Sequence, residues 1–309
     1  MLPPSLLLVA GLILSIALFH PLFAADLGEP VDVEFKAAVD GSTQKYVEML
    51  PAGFDTSKPH DILIGLHGHG SDRWQYVKQN RGECKGVRDV AAKYNMIFIC
   101  PDYRASTSWM GPLAEADLVQ LISLLRAKHK VGKVFIAGGS MGGTAVLIFA
   151  ALRPDLVHGV LSENGTANMV EYSNFQDAIA ASYGGSKKEK PDEYRNRSPE
   201  LTPEKFTMPV ALTVGGKDTS VPPDSVRRLA TRLQQMGKKD LLMLDRKDGG
   251  HSTNYEDTVA GMEFIIKAAA EIEARKKAAE TRNSKPKDSP PPKPKEDSKD
   301  QPKDTQGRQ

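Results

Sequence analysis

Cysteine is all but absent from this chain: Cys84 and Cys100 are the only two in 309 residues. Two readings of the pair stay open. Export would permit a disulfide between them, or each is a small buried hydrophobe, as suits Cys100 at the end of Met96-Ile97-Phe98-Ile99-Cys100. An excess of one charge is also lacking, with 41 basic against 39 acidic residues and a net charge of +2. No basic stripe lies along a helical pattern or beside aromatic residues, so no nucleic-acid partner is expected. Lys and Arg are missing before Lys36, which leaves only the amino terminus in front of the apolar run 6–19. That run has the length of a signal-peptide core, stops at His20-Pro21 and is followed by Ala24-Ala25. A membrane span needs about 20 apolar residues, to which this run can just be stretched. The expectation is a signal peptide over residues 1–25 and a protein exported to the periplasm or beyond, with no stable membrane insertion after cleavage. An uncleaved N-terminal anchor is the alternative.

Apolar residues run out again near Arg275. Residues 275–309 are filled with Lys, Asp, Glu, Ser and Pro, as in Lys285-Pro286-Lys287 and Pro290-Pro291-Pro292. Such a segment buries too little surface to offset the entropy of ordering, so a disordered tail is expected. Residues 26–274 remain as the domain that carries the function.

Within that domain short apolar runs alternate with helix-length segments. Strands are predicted at 62–66, 96–100, 134–137, 157–161, 210–214 and 241–244. Helices are predicted at 86–94, 113–128, 141–152, 225–236 and 255–270, the second with Leu118, Leu121, Ile122 and Leu125 at helical spacing. Short runs apolar on both faces, alternating with helices, predict an α/β fold: a mostly parallel central sheet covered by helices on both faces. In such sheets the chemistry gathers at the C-terminal ends of the strands.

Each candidate motif falls at such an end. Gly138-Gly139-Ser140-Met141-Gly142 fits G-x-S-x-G between a strand and a helix. Small neighbours allow a sharp turn that lifts the Ser140 hydroxyl above the sheet and aims the helix N-terminus at it. The pattern alone is weak, and its strand–turn–helix setting is what gives it weight. A serine hydroxyl attacks only when a base takes its proton, so a histidine oriented by a carboxylate should follow. His251, in Gly249-Gly250-His251-Ser252 beyond the last strand, is the candidate base. His60, His67, His69 and His129 all precede Ser140, and His158 falls inside a predicted strand. Asp218 directly follows the strand 210–214 and is the first choice of acid. Glu163, which also ends a strand, is its competitor, and Asp248 lies too close to His251 along the chain. The oxyanion of a tetrahedral intermediate needs preorganised N–H donors. These are assigned to the backbone of Met141 and of His69, the latter in Leu66-His67-Gly68-His69-Gly70. The rival reading of His67 and His69 as metal ligands lacks a third ligand nearby. No metal and no organic cofactor is therefore called for.

With these pieces in place the chain resembles the serine α/β-hydrolases, in particular small exported carboxylesterases and the catalytic domain of prolyl-oligopeptidase-like enzymes. The resemblance covers about residues 46–268. It rests on Tyr46-Val47-Glu48-Met49-Leu50-Pro51-Ala52-Gly53-Phe54-Asp55, on the three motifs above, on residues 194–199 and on Gly216-Lys217-Asp218. It implies the α/β-hydrolase fold and acyl transfer to water through Ser140, His251 and Asp218. The nucleophile is Ser, not the Cys of dienelactone hydrolases or the Asp of haloalkane dehalogenases. No β-propeller precedes the domain, which points to a small-molecule or carbohydrate ester rather than a peptide. Peptidase or amidase activity on the same residues is the alternative. A non-catalytic binding protein is the third reading, against which the intact Ser, Asp and His argue. Residues 164–208, with Tyr172, Phe175, Tyr183 and Tyr194, are long enough to roof a pocket, and Trp109 is a candidate for its wall; packing in the core is the other and favoured reading of each of these aromatics. Asn164-Gly165-Thr166 and Asn196-Arg197-Ser198 match glycosylation sequons.

Overall fold

The computed structural model describes residues 26–283; the expected signal peptide and most of the expected tail lie outside them. The strands are β1 (Val31–Lys36), β2 (Thr43–Met49), β3 (His60–Leu66), β4 (Ile97–Pro101), β5 (Val131–Gly139), β6 (Gly159–Glu163), β7 (Val210–Gly215) and β8 (Leu241–Arg246). The helices are α1 (Gln75–Lys78), α2 (Gly82–Lys93), α3 (Pro112–Lys128), α4 (Met141–Leu152), α5 (Gln176–Tyr183), α6 (Pro191–Asn196), α7 (Asp224–Gln235) and α8 (Tyr255–Asn283). The strands form one sheet in the order β1-β2-β4-β3-β5-β6-β7-β8. Pairing is antiparallel from β1 through β2 to β4 and parallel from there on.

The strand sequences split their apolar residues between two layers with period two. Ile62, Ile64 and Leu66 of β3 and Val134 and Ile136 of β5 enter one core cluster with residues of α3, α4 and α7. Leu63, Phe98, Phe135, Ala137 and Leu161 enter the other, against Cys84, Val87 and Val90 of α2 and Met262 and Ile265 of α8. Both faces are thus covered, as the continuous apolar runs predict. Cys84 and Cys100 are buried and free, so of the two readings the small hydrophobe holds. Burial pushes the Cys84 thiol up to about 11 and Cys100 well above its ordinary value.

Two differences from the sequence reading have physical causes. β1 and β2 were not predicted as strands. β1 alternates Val31, Val33 and Phe35 with Asp32, Glu34 and Lys36 on an exposed sheet edge, and its charges pair with neighbours, Asp32 with Arg73 and Glu34 with Lys45. The last helix does not end at residue 270 but runs to Asn283. Loss of apolar residues suggested an earlier end, yet Glu, Ala, Arg and Lys are strong helix formers. Glu271–Arg275 and Glu273–Lys277 pair one turn apart. The described residues from Ala270 to Asn283 group apart from the sheet domain. Among the described residues no helix is long and apolar enough to cross a membrane.

Chain order reverses around β3, since β4 lies on one side of it and β5 on the other. The loops leaving β3 and β5 diverge there and open a crevice at the C-terminal edge of the sheet. Gly68 to Gly70 leave β3 and Ser140 leaves β5 at that point.

Candidate active site

Ser140 joins β5 to α4 with φ 59° and ψ −120°, a conformation that L-residues adopt only under constraint. The neighbouring glycines supply that constraint. A Cβ on Gly142 would overlap the carbonyl oxygen of Leu66, and one on Gly138 would lie 2.6 Å from the Gly142 backbone. Gly143, outside the G-x-S-x-G pattern, has the same need, with the Glu163 carbonyl oxygen 2.6 Å away. The serine N–H donates to the Glu163 carbonyl at 2.8 Å, which pins the turn to β6.

The side chains of Ser140, His251 and Asp218 form one chain of hydrogen bonds. His251 Nε2 is 2.8 Å from Ser140 Oγ, and His251 Nδ1 is 2.6 Å from Asp218 Oδ2. A carboxylate only accepts, so Nδ1 carries the proton and Nε2 offers its lone pair to the serine hydroxyl. Asp218 is buried, and its other oxygen accepts from the backbone N–H groups of Ser220 and Val221, each at 2.9 Å. Those bonds fix the carboxylate in the plane the imidazole needs. The His251 loop is held by close backbone contact: a Cβ on Gly215 would overlap the Gly250 carbonyl oxygen, and Lys217 N–H donates to Gly249 at 2.8 Å. Glycine at the end of β7 is what lets the Asp218 and His251 loops approach.

The β3 loop is tied down on every side except one. Gly68 N–H donates to Gln75 Oε1 at 2.8 Å, Gly70 N–H to Ser106 at 2.8 Å, and Tyr103 Oη–H to the His67 carbonyl at 2.5 Å. A Cβ on Gly68 would sit 3.8 Å from Ser140 Cβ, so the loop lies against the serine. Among the described residues no acceptor takes the N–H of His69 or of Met141. The His69 ring accepts from Trp109 Nε1 at 3.0 Å, and burial lowers its proton affinity. It is therefore neutral with Nε2 protonated. His67 is buried, with Nδ1 2.9 Å from the Gly68 carbonyl and Nε2 3.2 Å from that of Asp102. Both of its nitrogens face backbone, so the two histidines are not arranged around a common point.

Neither competing carboxylate meets His251. Glu163 is buried and meets Thr258 Oγ1 at 2.5 Å, and Tyr76 Oη only weakly at 3.5 Å. Burial is the main cause that raises its pKa to about 8. Asp248 is exposed and pairs with Lys217 at 2.8 Å. One residue behind the acid was read from sequence only as a sequon. Asn164 is buried, its amide 3.3 Å from the Gly250 carbonyl and 3.5 Å from Asp218 Oδ2, while its oxygen accepts from Thr253 Oγ1 at 2.7 Å. Burial at this place leaves no room for a glycan. Its position next to Glu163, at the end of a strand beside that of the acid, is the signal that pointed there.

A cavity of about 460 Å³ opens over Ser140 and His251. Of the aromatic residues expected around it, only Phe175 lines it. Trp109, Tyr172, Tyr183 and Tyr194 are buried in the core instead. Their hydroxyls are satisfied internally, Tyr172 on Ser220, Tyr183 on Trp109 and Tyr194 on Gly185.

The sequence matches the prolyl oligopeptidase family over residues 114–267. No curated protein matches the chain in sequence. Among solved structures it is similar to the acylaminoacyl peptidase of Pyrococcus horikoshii, with a TM-score of 0.62 and 17% identity over 80% of this chain and 42% of that one. It is also similar to the S-formylglutathione hydrolase of Staphylococcus aureus, with a TM-score of 0.59 and 16% identity over 76% of this chain and 97% of that one. A third is the dipeptidyl aminopeptidase IV candidate of Bacteroides ovatus, with a TM-score of 0.62 and 15% identity over 80% and 36%. The chain thus spans well under half the length of the two peptidases. Parallel sheet, helical layers and family match together make this chain a member of the serine α/β-hydrolase superfamily.

Proposed function

We propose that the chain hydrolyses carboxylic esters by acyl transfer through Ser140. The observation that carries the reading is His251 bridging Ser140 Oγ and Asp218 Oδ2 at 2.8 and 2.6 Å. His251 Nε2 takes the hydroxyl proton as Oγ bonds to the ester carbonyl carbon. The N–H groups of His69 and Met141 receive the oxyanion, and Asp218 stabilises the imidazolium. Collapse breaks the bond to the alcohol, which leaves with the proton from Nε2. Water then attacks the acyl-enzyme, gives its proton to the same nitrogen and releases the acid.

A cavity of this size suits a small ligand. An amide needs its departing nitrogen protonated within a tightly positioned complex, whereas an alkoxide or phenoxide leaves readily once the oxyanion is held. The family match favours the second reading, a peptidase or amidase using the same residues. Assay of a short-chain aryl ester and the matching anilide on one preparation separates them. The ester reading requires kcat/KM larger for the ester by orders of magnitude, and comparable values would transfer the protein to the peptidases. We also assign an exported location, on the apolar run 6–19 and Ala24-Ala25. Mass spectrometry of protein from its own host should then show a start near Ala25, and an intact Met1 in a membrane fraction would refute that.

A further inference from the structure

The cavity over Ser140 is unusual in what lines it. Ligand pockets are mostly apolar with a few polar groups; here Phe175 is the single large apolar side chain, and polar or charged groups and glycine backbone make up the rest. An extended acyl or alkyl chain would find Phe175 as the one large apolar side chain against which to be buried. On one side, Arg81 places a guanidinium nitrogen 2.7 Å from Glu83 Oε1, with Gln79 beside them. Glu83 is itself buried. The charge of Arg81 is therefore already balanced, and an anionic group that approached it would also meet the Glu83 carboxylate. A neutral hydroxyl has no such conflict. It accepts from the guanidinium and donates to the carboxylate or to the Gln79 carbonyl, and two adjacent hydroxyls match an adjacent donor and acceptor.

Phe175 is peculiar in two further ways. It is 40% exposed, although it is an aromatic residue beside a largely buried cluster. Its backbone is left-handed, with φ 55° and ψ 29°, which is rare for a bulky side chain. The ring is kept in place by His69 at 4.5 Å and Trp109 at 5.4 Å between centroids. The contact to His69 links it directly to the loop assigned to the oxyanion. The exposed part of the ring, rimmed by hydrogen-bonding groups, offers the C–H side of a sugar ring an apolar platform while its hydroxyls reach the polar wall.

We propose that the substrate is a short-chain ester of a carbohydrate, with Phe175 as the platform for the sugar ring and Arg81 with Glu83 as the clamp for its hydroxyls. This rests on Ser140 as the nucleophile, and the test keeps the two apart. Monoacetylated methyl glucosides and 1-hexyl acetate are both alkyl acetates, so they differ in what the cavity holds rather than in bond type. With 4-nitrophenyl acetate as the activity control, kcat/KM for the best glucoside acetate should exceed that for hexyl acetate at least tenfold. Phe175→Leu removes the ring face but keeps the apolar bulk, and should raise KM for the glucoside acetate about tenfold with a smaller change in kcat. Phe175→Tyr should restore most of that loss, which a merely structural role would not require. Arg81→Met should act in the same direction as Phe175→Leu. Hexyl acetate turned over as fast as the glucoside acetates overturns the proposal while leaving ester hydrolysis intact. Titration of Ser140→Ala with acetylated methyl glucoside by ligand-observed NMR covers the other case. Saturable binding there, with no ester turnover by the parent, keeps the sugar site and refutes the nucleophile; no binding refutes the site.

Discussion

Replacing Glu163 by Gln should leave the protein folded and make it more stable as the pH rises. Glu163 ends β6 directly beneath the Ser140 turn and is buried, with its pKa raised from 4.5 to about 8 mainly by desolvation. Its Thr258 neighbour also contacts the Asn254 carbonyl at 3.0 Å. The Thr258 hydroxyl donates to Glu163 Oε1, but desolvation outweighs that bond and keeps the carboxyl protonated. The folded state therefore keeps a proton that the unfolded chain releases above its ordinary carboxyl range. Stability from this group is complete below about pH 4.5 and is lost as the pH rises to about 8. At about 1.4 kcal/mol per pH unit, the loss approaches 4 kcal/mol by pH 8. Gln has the same shape, accepts from Thr258 through its amide oxygen without titrating, and escapes that loss. Urea unfolding of parent and Glu163→Gln at pH 5, 6.5 and 8 measures it. The stability difference should favour the variant progressively, by an amount on the order of 3–4 kcal/mol between the extremes. A difference constant with pH, or one that shrinks, would show that Glu163 is ionised in the folded protein and refute the argument.

The same substitution separates the two carboxylates chemically. Asp218→Asn cannot hold the His251 tautomer and should lower kcat by about 10⁴, whereas Glu163→Gln, which touches neither His251 nor Asp218, should change it by less than about tenfold; stopped-flow or steady-state rates on 4-nitrophenyl acetate decide. Gly142→Ala forces a methyl group into the Leu66 carbonyl and should cost at least about 3 kcal/mol in denaturant unfolding. Gly250→Ala, with nothing within 4 Å of the added carbon, should cost about 1 kcal/mol or less. Equal effects of the two alanines would mean that close packing does not shape the serine turn.

How much of this was visible in the sequence depends on what each residue needs locally. Ser140, Asp218 and His251 each follow an apolar run within a few residues, with glycines in between, so chain order and turn chemistry suffice to bring them together, and they do lie within hydrogen-bonding distance. The central strands were legible for a similar reason, being apolar on both faces. β1 was hidden because an edge strand of alternating charge looks like a loop when read for apolar runs. Asn164 and Thr253 behind the acid were not recognised, because a buried Asn and Thr are told from surface ones only by partners distant in the chain, such as Gly250 and Thr213. The aromatic residues failed in the same manner. Tyr183 and Tyr194 pack edge to face with 4.9 Å between centroids, and Trp109 and Tyr172 pack at a tilt with 5.5 Å, so they serve the core, and nothing in their spacing set Phe175 apart from them.

The claim on which the rest depends is that Ser140 is the nucleophile activated by His251. It is tested most directly by incubating the protein with a fluorophosphonate and mapping the adduct by peptide mass spectrometry. The arrangement of Ser140, His251 and Asp218 predicts one stoichiometric adduct on the peptide holding Ser140. The adduct should disappear in Ser140→Ala and form far more slowly in His251→Ala, and esterase activity should fall in proportion to labelling. No adduct on a folded protein, or an adduct on another residue that persists in Ser140→Ala, would contradict it.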